Sequence, residues 1–275
     1  MISSIVTWLF DPIHWSGSDG IPARTVQHLW YSGLAMVAAC LIAIPAGLAI
    51  GHTGRGRFLA VNLAGAARAI PSLGLLYLMV LWLFPKLAGD SAFLVPSLIV
   101  LVVLAIPPIM AGAYSGVEGV DPAARDAAKG MGMTGFQVLR QVEVPCALPL
   151  LFSGVRSATL QVIATATLAA IAGTGGLGRY IIDGQKIREF PQMASGALLV
   201  AVLALLVDLV LSLVQRFFVS PGLSSPGTAS SRFGRSSLSR SVSRSGGSTA
   251  KHGGGNTPVD VEIDSSGRTV DAPAR

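Results

Sequence analysis

The chain has 275 residues, 51% of them hydrophobic and only 12% charged, where soluble domains carry about 25% charge. That deficit, together with apolar runs of about twenty residues, excludes an ordinary soluble domain and predicts an all-α polytopic membrane protein. The net charge of +6 is modest and sits largely in the C-terminal tail, which argues against a nucleic-acid surface.

Residues 1–28 read as an interfacial lead-in. They have neither the basic start nor the small-residue cleavage site of a signal peptide. Trp8, Trp15, Trp30 and Tyr31 are the aromatics expected at a membrane–water boundary. Five spans follow: Leu29–Ile50 with Pro45, Phe58–Phe84 with Arg68 and Pro71, Phe93–Tyr114 with Pro107 and Pro108, Ala147–Ala172, and Met193–Val219. In the second span one long helix kinked at Pro71 fits, since proline removes a backbone hydrogen bond. Two shorter segments meeting at Pro71 are the alternative. Arg68 lies ~15 Å along that helix, placed either for internal pairing or for lining a pathway. Asp208 and Arg216, two turns apart in the last span, form a candidate internal pair. Arg68 and Asp208 are too few buried ionisable groups for a proton relay.

Residues 117–145 are the longest polar run between the spans and read as a helix–turn–helix elbow. Asp121-Pro122 is a helix start, because Asp accepts a free N–H and Pro has none to waste. Gly130 and Gly132 supply a stop and a turn. Thr134 with Gln137 is a capping box for a second short helix, and Pro145 closes the unit.

Gly173, Gly175 and Gly178 satisfy G-x-G-x-x-G. A dinucleotide site needs a strand before the first glycine, whereas a span precedes it here. With Gly176 they form a glycine-rich turn at the end of the fourth span, where close backbone packing suits a gate. The spans hold few aromatics (Trp30, Tyr31, Tyr77, Trp82, Phe93, Tyr114), which read as boundary anchors rather than a cation–π box.

Cys40 and Cys146 offer neither a disulfide framework nor a metal spacing. The four histidines, His14, His28, His52 and His252, have no Ser, Cys or carboxylate at usable spacing, so no catalytic or metal-binding residue is expected. No P-loop is present, so the chain carries no ATP-hydrolysing site of that type. Residues 220–275 are Ser/Gly-rich with little apolar content, which predicts a disordered tail. Its basic RSSLSRSVSRS stretch suits contact with anionic lipid, releasable by phosphorylation.

Asp126-Ala127-Ala128, then Gly132, then Val142-Glu143-Val144-Pro145 resembles the signature of the membrane subunits of bacterial ATP-binding-cassette importers. Every spacing holds. Asp replaces the family's Glu, and Val142 and Val144 replace Ile and Leu. Ser153–Thr159, Leu168–Gly178, Gln27-His28-Leu29, Arg68–Ser72 and Gly130–Met133 resemble the permeases for glycine betaine, carnitine, choline and proline betaine.

The resemblance covers roughly residues 25–218. It implies a type I importer permease fold, with residues 29–219 as the transmembrane domain. Asp126, Ala127, Ala128, Gly132, Val142, Val144 and Pro145 would couple to a cytoplasmic ATPase. Arg68, Pro71, Gly173, Gly175, Gly176 and Gly178 would serve as pathway or gate residues.

The partners implied are ATP-binding subunits that hold ATP and Mg, a second permease chain (identical or homologous), an extracytoplasmic substrate-binding protein and membrane lipid. This chain itself needs no cofactor. The resemblance also implies a bacterial inner membrane, with the N-terminus outside and the tail in the cytoplasm. Charge agrees: eight basic residues flank the elbow side (Arg55, Arg57, Arg125, Lys129, Arg140, Arg216, Arg232, Arg235) against five opposite (Arg24, Lys86, Arg179, Lys186, Arg188). The rival readings are the same machine with a methionine or other amino-acid cargo, an ion-coupled carrier, and a non-transporting scaffold.

Overall fold

Long apolar segments become helices because no water is present in a bilayer to satisfy exposed backbone N–H and C=O groups. The computed structural model describes residues 2–58, 62, 65, 69–89 and 91–218. Arg68 and the tail at 220–275, both singled out above, lie outside the described residues.

Helix α1 spans Ile2–Phe10, and a 3-10 turn, Pro12–Trp15, follows it. Helix α2, Ile21–Thr53, starts well before Leu29, so the lead-in is shorter than the sequence reading had it. The reason is local. Gly20 leaves the helix in an extended conformation, and Pro22 in the first turn has no N–H to satisfy. The helix continues through Pro45 and stops at Gly54, which is left-handed at φ 68°.

Helix α3, Ser72–Leu83, begins only after Pro71, whose ψ of 118° is extended. Among the described residues, then, no helix runs through Pro71, so this part of the second expected span is not one helix kinked at the proline. Helix α4 is Ser91–Glu118. The elbow comprises α5, Pro122–Gly130, and α6, Gly135–Val138. A π-turn, Leu139–Glu143, joins α6 to α7, Val144–Ala169, and a 3-10 turn, Ala170–Ala172, ends that helix. Helices α8, Gly178–Ile187, and α9, Phe190–Phe218, complete the described chain.

Among the described residues four helical stretches are long and apolar enough to cross a membrane: Ile21–Thr53, Ser91–Glu118, Gly135–Ala172 and Phe190–Phe217. The stretch Ser72–Lys86 is apolar but shorter.

Helices α2, α4 and α7 form the centre. Their shared core includes Ala35, Ala39, Ala43, Ala105, Ile109 and Ala158. Lipid tails are as apolar as leucine, so helix association in a bilayer depends on close packing, and small residues permit it. Gly112 of α4 and Gly154 of α7 show how close. A Cβ at Gly112 would sit 2.6 Å from the Leu150 carbonyl oxygen, and one at Gly154 2.6 Å from that of Pro108.

Helix α9 lies outside this centre, against α7 and α8, and leaves Leu205 and Leu206 exposed, as a lipid-facing helix should. Arg156 of α7 binds Asp208 of α9 through both guanidinium edges, with Nη2 2.6 Å from Oδ2 and Nε on Oδ1. Asp208 is thus paired across helices with Arg156 rather than along its own helix with Arg216. A bidentate fork is the geometry in which arginine holds a carboxylate best.

A second cluster closes the end of the bundle where α2 starts. Trp8, Ile21, Ile163, Leu177, Tyr180 and Leu203 pack together there. Trp8 is 7% exposed, stacked on His14 at 3.9 Å and edge-on to Tyr180 at 5.3 Å. It is a core residue and not the boundary anchor expected from its aromatic type, whereas Trp30 is exposed as an anchor should be.

Candidate functional site

The elbow lies at the end of the bundle where α2 stops. Its caps form as the residue types require. The Asp121 side chain accepts the Ala123 N–H at 2.9 Å. The Thr134 N–H donates to Gln137 Oε1 at 2.7 Å, and the Gln137 N–H donates back to Thr134 Oγ1 at 3.4 Å.

Between the two short helices Gly132 adopts φ 85°. The Met133 N–H then reaches the Ala128 carbonyl at 3.2 Å and the Gly132 N–H reaches that of Lys129 at 2.9 Å. That bonding pattern is the Schellman C-cap, which favours glycine at this position. Gly130 is simply the last helical residue.

Pro145 does not close the unit. The helix from Gly135 runs on to Ala172, with the Val144 N–H bonded to the Leu139 carbonyl across the π-turn. One extra residue in that turn is how the helix accommodates its phase before a proline that has no N–H to give.

The π-turn also turns Glu143 inward. This carboxylate is 2% exposed. Its Oε2 lies 2.6 Å from His52 Nδ1 at the end of α2, and its Oε1 lies 3.1 Å from Arg125 Nε on α5. Arg125 also donates from Nη2 to the Val117 carbonyl at the end of α4. Four segments therefore meet on two side chains. The histidine that had no carboxylate near it in sequence has one in space, 91 residues away. Burying a carboxylate is costly unless it is paired and hydrogen-bonded, so this cluster is tied together tightly.

Of the signature residues, Ala128 is buried under the elbow while Asp126, Ala127, Gly132 and Pro145 are exposed; Val142 and Val144 are half-buried. Two large apolar side chains stand out beside them, Met131 at 73% and Phe136 at 70% exposure. The sequence assigned no site role to Met131, Phe136, Glu143, Arg125 or His52.

The glycine turn lies at the opposite end, where α2 begins. Gly173 (φ 101°) and Gly176 (φ 90°) are left-handed. The turn packs on the Gln27-His28 pair. The Gly176 N–H donates to Gln27 Oε1 at 3.2 Å, and Arg24 Nη1 donates to the same oxygen at 3.1 Å. A side chain at Gly175 would overlap Gln27 Oε1. His28 is fully buried, with Nε2 3.1 Å from the Ile163 carbonyl. Gly178 is packed against Thr167 and starts α8.

The Tyr180 hydroxyl donates to the Asp19 carbonyl at 2.6 Å and ties α8 to the loop before α2. Burial pushes that hydroxyl's pKa above its ordinary value; the Arg24 charge opposes the shift and the Asp19 carboxylate adds to it. Beneath the turn a cavity of about 230 Å³ is lined by Arg24, Gln27, Tyr31, Phe93 and Thr174 among others. Pro71, the remaining described pathway candidate, caps α3 away from this cavity's lining. Cys40 and Cys146 are both free.

Residues 40–220 match the family described as binding-protein-dependent transport system inner membrane component. The chain is similar to the glycine betaine/carnitine/choline transport system permease protein OpuCB of Bacillus subtilis: 33% identical over 200 residues, 73% of this chain and 89% of that one. It is likewise similar to the osmoprotectant import permease protein OsmW of Salmonella typhimurium, 33% identical over 218 residues, 78% of this chain and 99% of that one. Among solved structures it resembles the inward-facing MetNI methionine transporter, with a TM-score of 0.63 at 20% identity, covering 76% of this chain and 99% of that one. That likeness is one of fold. With two thirds of the chain matched and full-length relatives aligned, the chain belongs to the family of binding-protein-dependent inner-membrane transport components, the permease subunits of ATP-binding-cassette importers.

Proposed function

We propose that this chain forms the membrane path of an ATP-driven importer for a compatible solute of the glycine betaine, choline, carnitine or proline betaine class. The observation that carries the reading is the elbow. It places Asp126, Ala127, Met131 and Phe136 on an exposed face and binds that face, through Glu143, to the ends of α2 and α4. Such a face suits docking to a separate ATP-binding subunit, which would hold ATP and Mg.

Closure of two ATPases would draw two elbows together, and each elbow would carry α2, α4 and α7 with it. A second permease chain would complete the path, and a binding protein would deliver the solute at the glycine-turn end. The elbow then lies in the cytoplasm and the N-terminus outside. The curated relatives named for osmoprotectants align far more closely than the methionine transporter does, which favours the compatible-solute cargo over an amino-acid one.

The test is uptake of radiolabelled glycine betaine and choline into vesicles that carry this chain with its ATPase and binding protein. Uptake that needs ATP is expected. Uptake without ATP would point to an ion-coupled carrier, and none with the partners bound would point to a scaffold. Gly132→Pro, which cannot adopt φ 85° because proline is held near φ −65°, should keep the protein in the membrane yet abolish ATP-driven uptake. Normal uptake by that variant removes the coupling role.

A further inference from the structure

The cavity under the glycine turn has a chemistry that its size and walls make specific. At about 230 Å³ it is below the ~300–1,000 Å³ of drug-sized ligand sites, so it suits a small solute. One wall is cationic. Arg24 spends two N–H groups, on Asp19 Oδ1 at 2.5 Å and on Gln27 Oε1 at 3.1 Å. A guanidinium has five donors, so three remain. Asp19 is 80% exposed, and an exposed partner offsets little of the arginine charge.

Part of the lining is aromatic: Tyr31, two turns along α2 from Arg24 on the same face, and Phe93 of α4. Phe93 is held in place by Phe84, with ring centroids 5.6 Å apart, and by Gly173, where a Cβ would touch its ring at 3.7 Å. The third feature is Thr174. It is 7% exposed and its hydroxyl is buried without a hydrogen-bond partner, although a buried polar atom normally has one. Gln27 Oε1 is occupied by two donors, Arg24 and the Gly176 N–H, which leaves its amide Nε2 free to donate.

Resting on the importer reading above, we infer that this cavity is a transient binding site for a zwitterionic solute, one with a carboxylate at one end and a quaternary ammonium at the other. The carboxylate meets Arg24, the Gln27 amide and the Thr174 hydroxyl. The methylated ammonium meets the Tyr31 and Phe93 rings, which attract a desolvated cation through their quadrupoles. The site therefore discriminates. A solute with the ammonium but no carboxylate, such as choline, gains nothing from Arg24 and is repelled by it. The left-handed glycines above the cavity permit the close backbone cover that a side chain would block. Few contacts and an open rim make binding weak, as a passage site requires.

Uptake of glycine betaine and of choline is compared in vesicles carrying the complete transporter, each solute at a subsaturating concentration. Arg24→Gln should lower the betaine-to-choline uptake ratio about tenfold or more, since losing a hydrogen bond to a charged group weakens binding by at least roughly that factor. Arg24→Lys should keep most of the ratio. Thr174→Val, nearly isosteric, should lower betaine uptake and leave choline uptake unchanged. Tyr31→Leu should lower both solutes together while ATP hydrolysis stimulated by loaded binding protein persists.

Wild-type vesicles that carry neither solute overturn the importer reading and this site with it. Wild-type vesicles that carry solute, with Arg24→Gln and Thr174→Val leaving the ratio unchanged, overturn the site alone. A variant absent from the membrane is replaced in the comparison by Thr174→Val, whose packing change is smallest.

Discussion

His52 Nδ1 and Glu143 Oε2 are 2.6 Å apart, and that bond joins the last turn of α2 to the π-turn below α7. With Arg125 on the other carboxylate oxygen, Glu143 is the point at which the elbow is fastened to the bundle. Glu143→Ala removes the acceptor and leaves two basic groups facing a void. Breaking a fully buried pair in this way costs about 3–5 kcal/mol; the side chains left here, His52 and Arg125, are 26% and 23% exposed, so the loss lies below that range. Membrane level should fall, and the protein that remains should hydrolyse ATP without transporting when assembled with its partners. Measuring ATPase rate and uptake on the same vesicles tests this; a coupling ratio equal to wild type would show that Glu143 only fills space.

The Arg156–Asp208 fork makes a prediction that separates the structure from the simpler reading of the sequence. Arg156→Ala and Asp208→Ala should each lower the amount of folded protein in the membrane, because each strands the opposite charge inside a helix pair. Exchanging the two, as R156D/D208R, should recover part of the loss. Arg216→Ala should do little. Fluorescence-detected size exclusion of the four variants decides. An Arg216→Ala defect as deep as that of Arg156→Ala would mean that the intrahelical pair matters after all.

At the other end Gly175→Ala introduces a methyl where Gln27 Oε1 sits. Gln27 must then move, and both the Gly176 N–H and Arg24 lose their acceptor. Uptake should fall severalfold while assembly with partner chains, read by co-purification, stays intact. Gly176→Leu adds backbone strain at φ 90°, of order 1 kcal/mol or more, and should be worse.

Tyr180 gives a pH signature. Its folded-state pKa lies above the unfolded value, which is about 10. The tyrosine therefore contributes its full share of stability below pH ~10 and loses it as pH rises through the folded value. Thermal melting of detergent-solubilised protein should show an alkaline fall in midpoint above pH ~10. Tyr180→Phe should begin lower and lack that component. An identical alkaline profile in both proteins would assign the fall to other groups.

What could be read from sequence was local. Asp121, Thr134 with Gln137, and Gly132 announce themselves because a cap or a left-handed turn needs only neighbours within a few residues. What could not be read was pairing at a distance. Asp208 has a basic residue two turns along its own helix, and nothing in the linear order says that Arg156, 52 residues earlier, takes it instead. Glu143 carried one signal: an acid between two valines, two residues before Pro145, at the start of a span. Its burial depends on the added residue of a π-turn, which no pattern of period 3.6 contains. Helix α8 had a signal as well, the Arg179–Asp183 pair at i,i+4, with Nε 3.1 Å from Oδ2. Gln27 and His28 stood out only through resemblance. Their packing on the glycine turn, 149 residues away for Gln27, gives a physical reason for those residue types.

The continuous helical stretch from Gly135 to Ala172, with its π-turn at one end and its 3-10 turn at the other, has a mechanical corollary. At 1.5 Å per residue its 38 residues make a rod of roughly 57 Å, with the elbow at one tip and the glycine turn at the other. A rod of that length, if rigid, would act as a lever. A tilt of about 10° around its midpoint swings each tip by about 5 Å in opposite senses, by the same arithmetic. Leverage of that size needs no hinge along the rod and no relay of side chains through the bilayer. If the elbow is displaced, a rigid rod would carry that displacement to the far rim, inverted in direction and nearly undiminished in size.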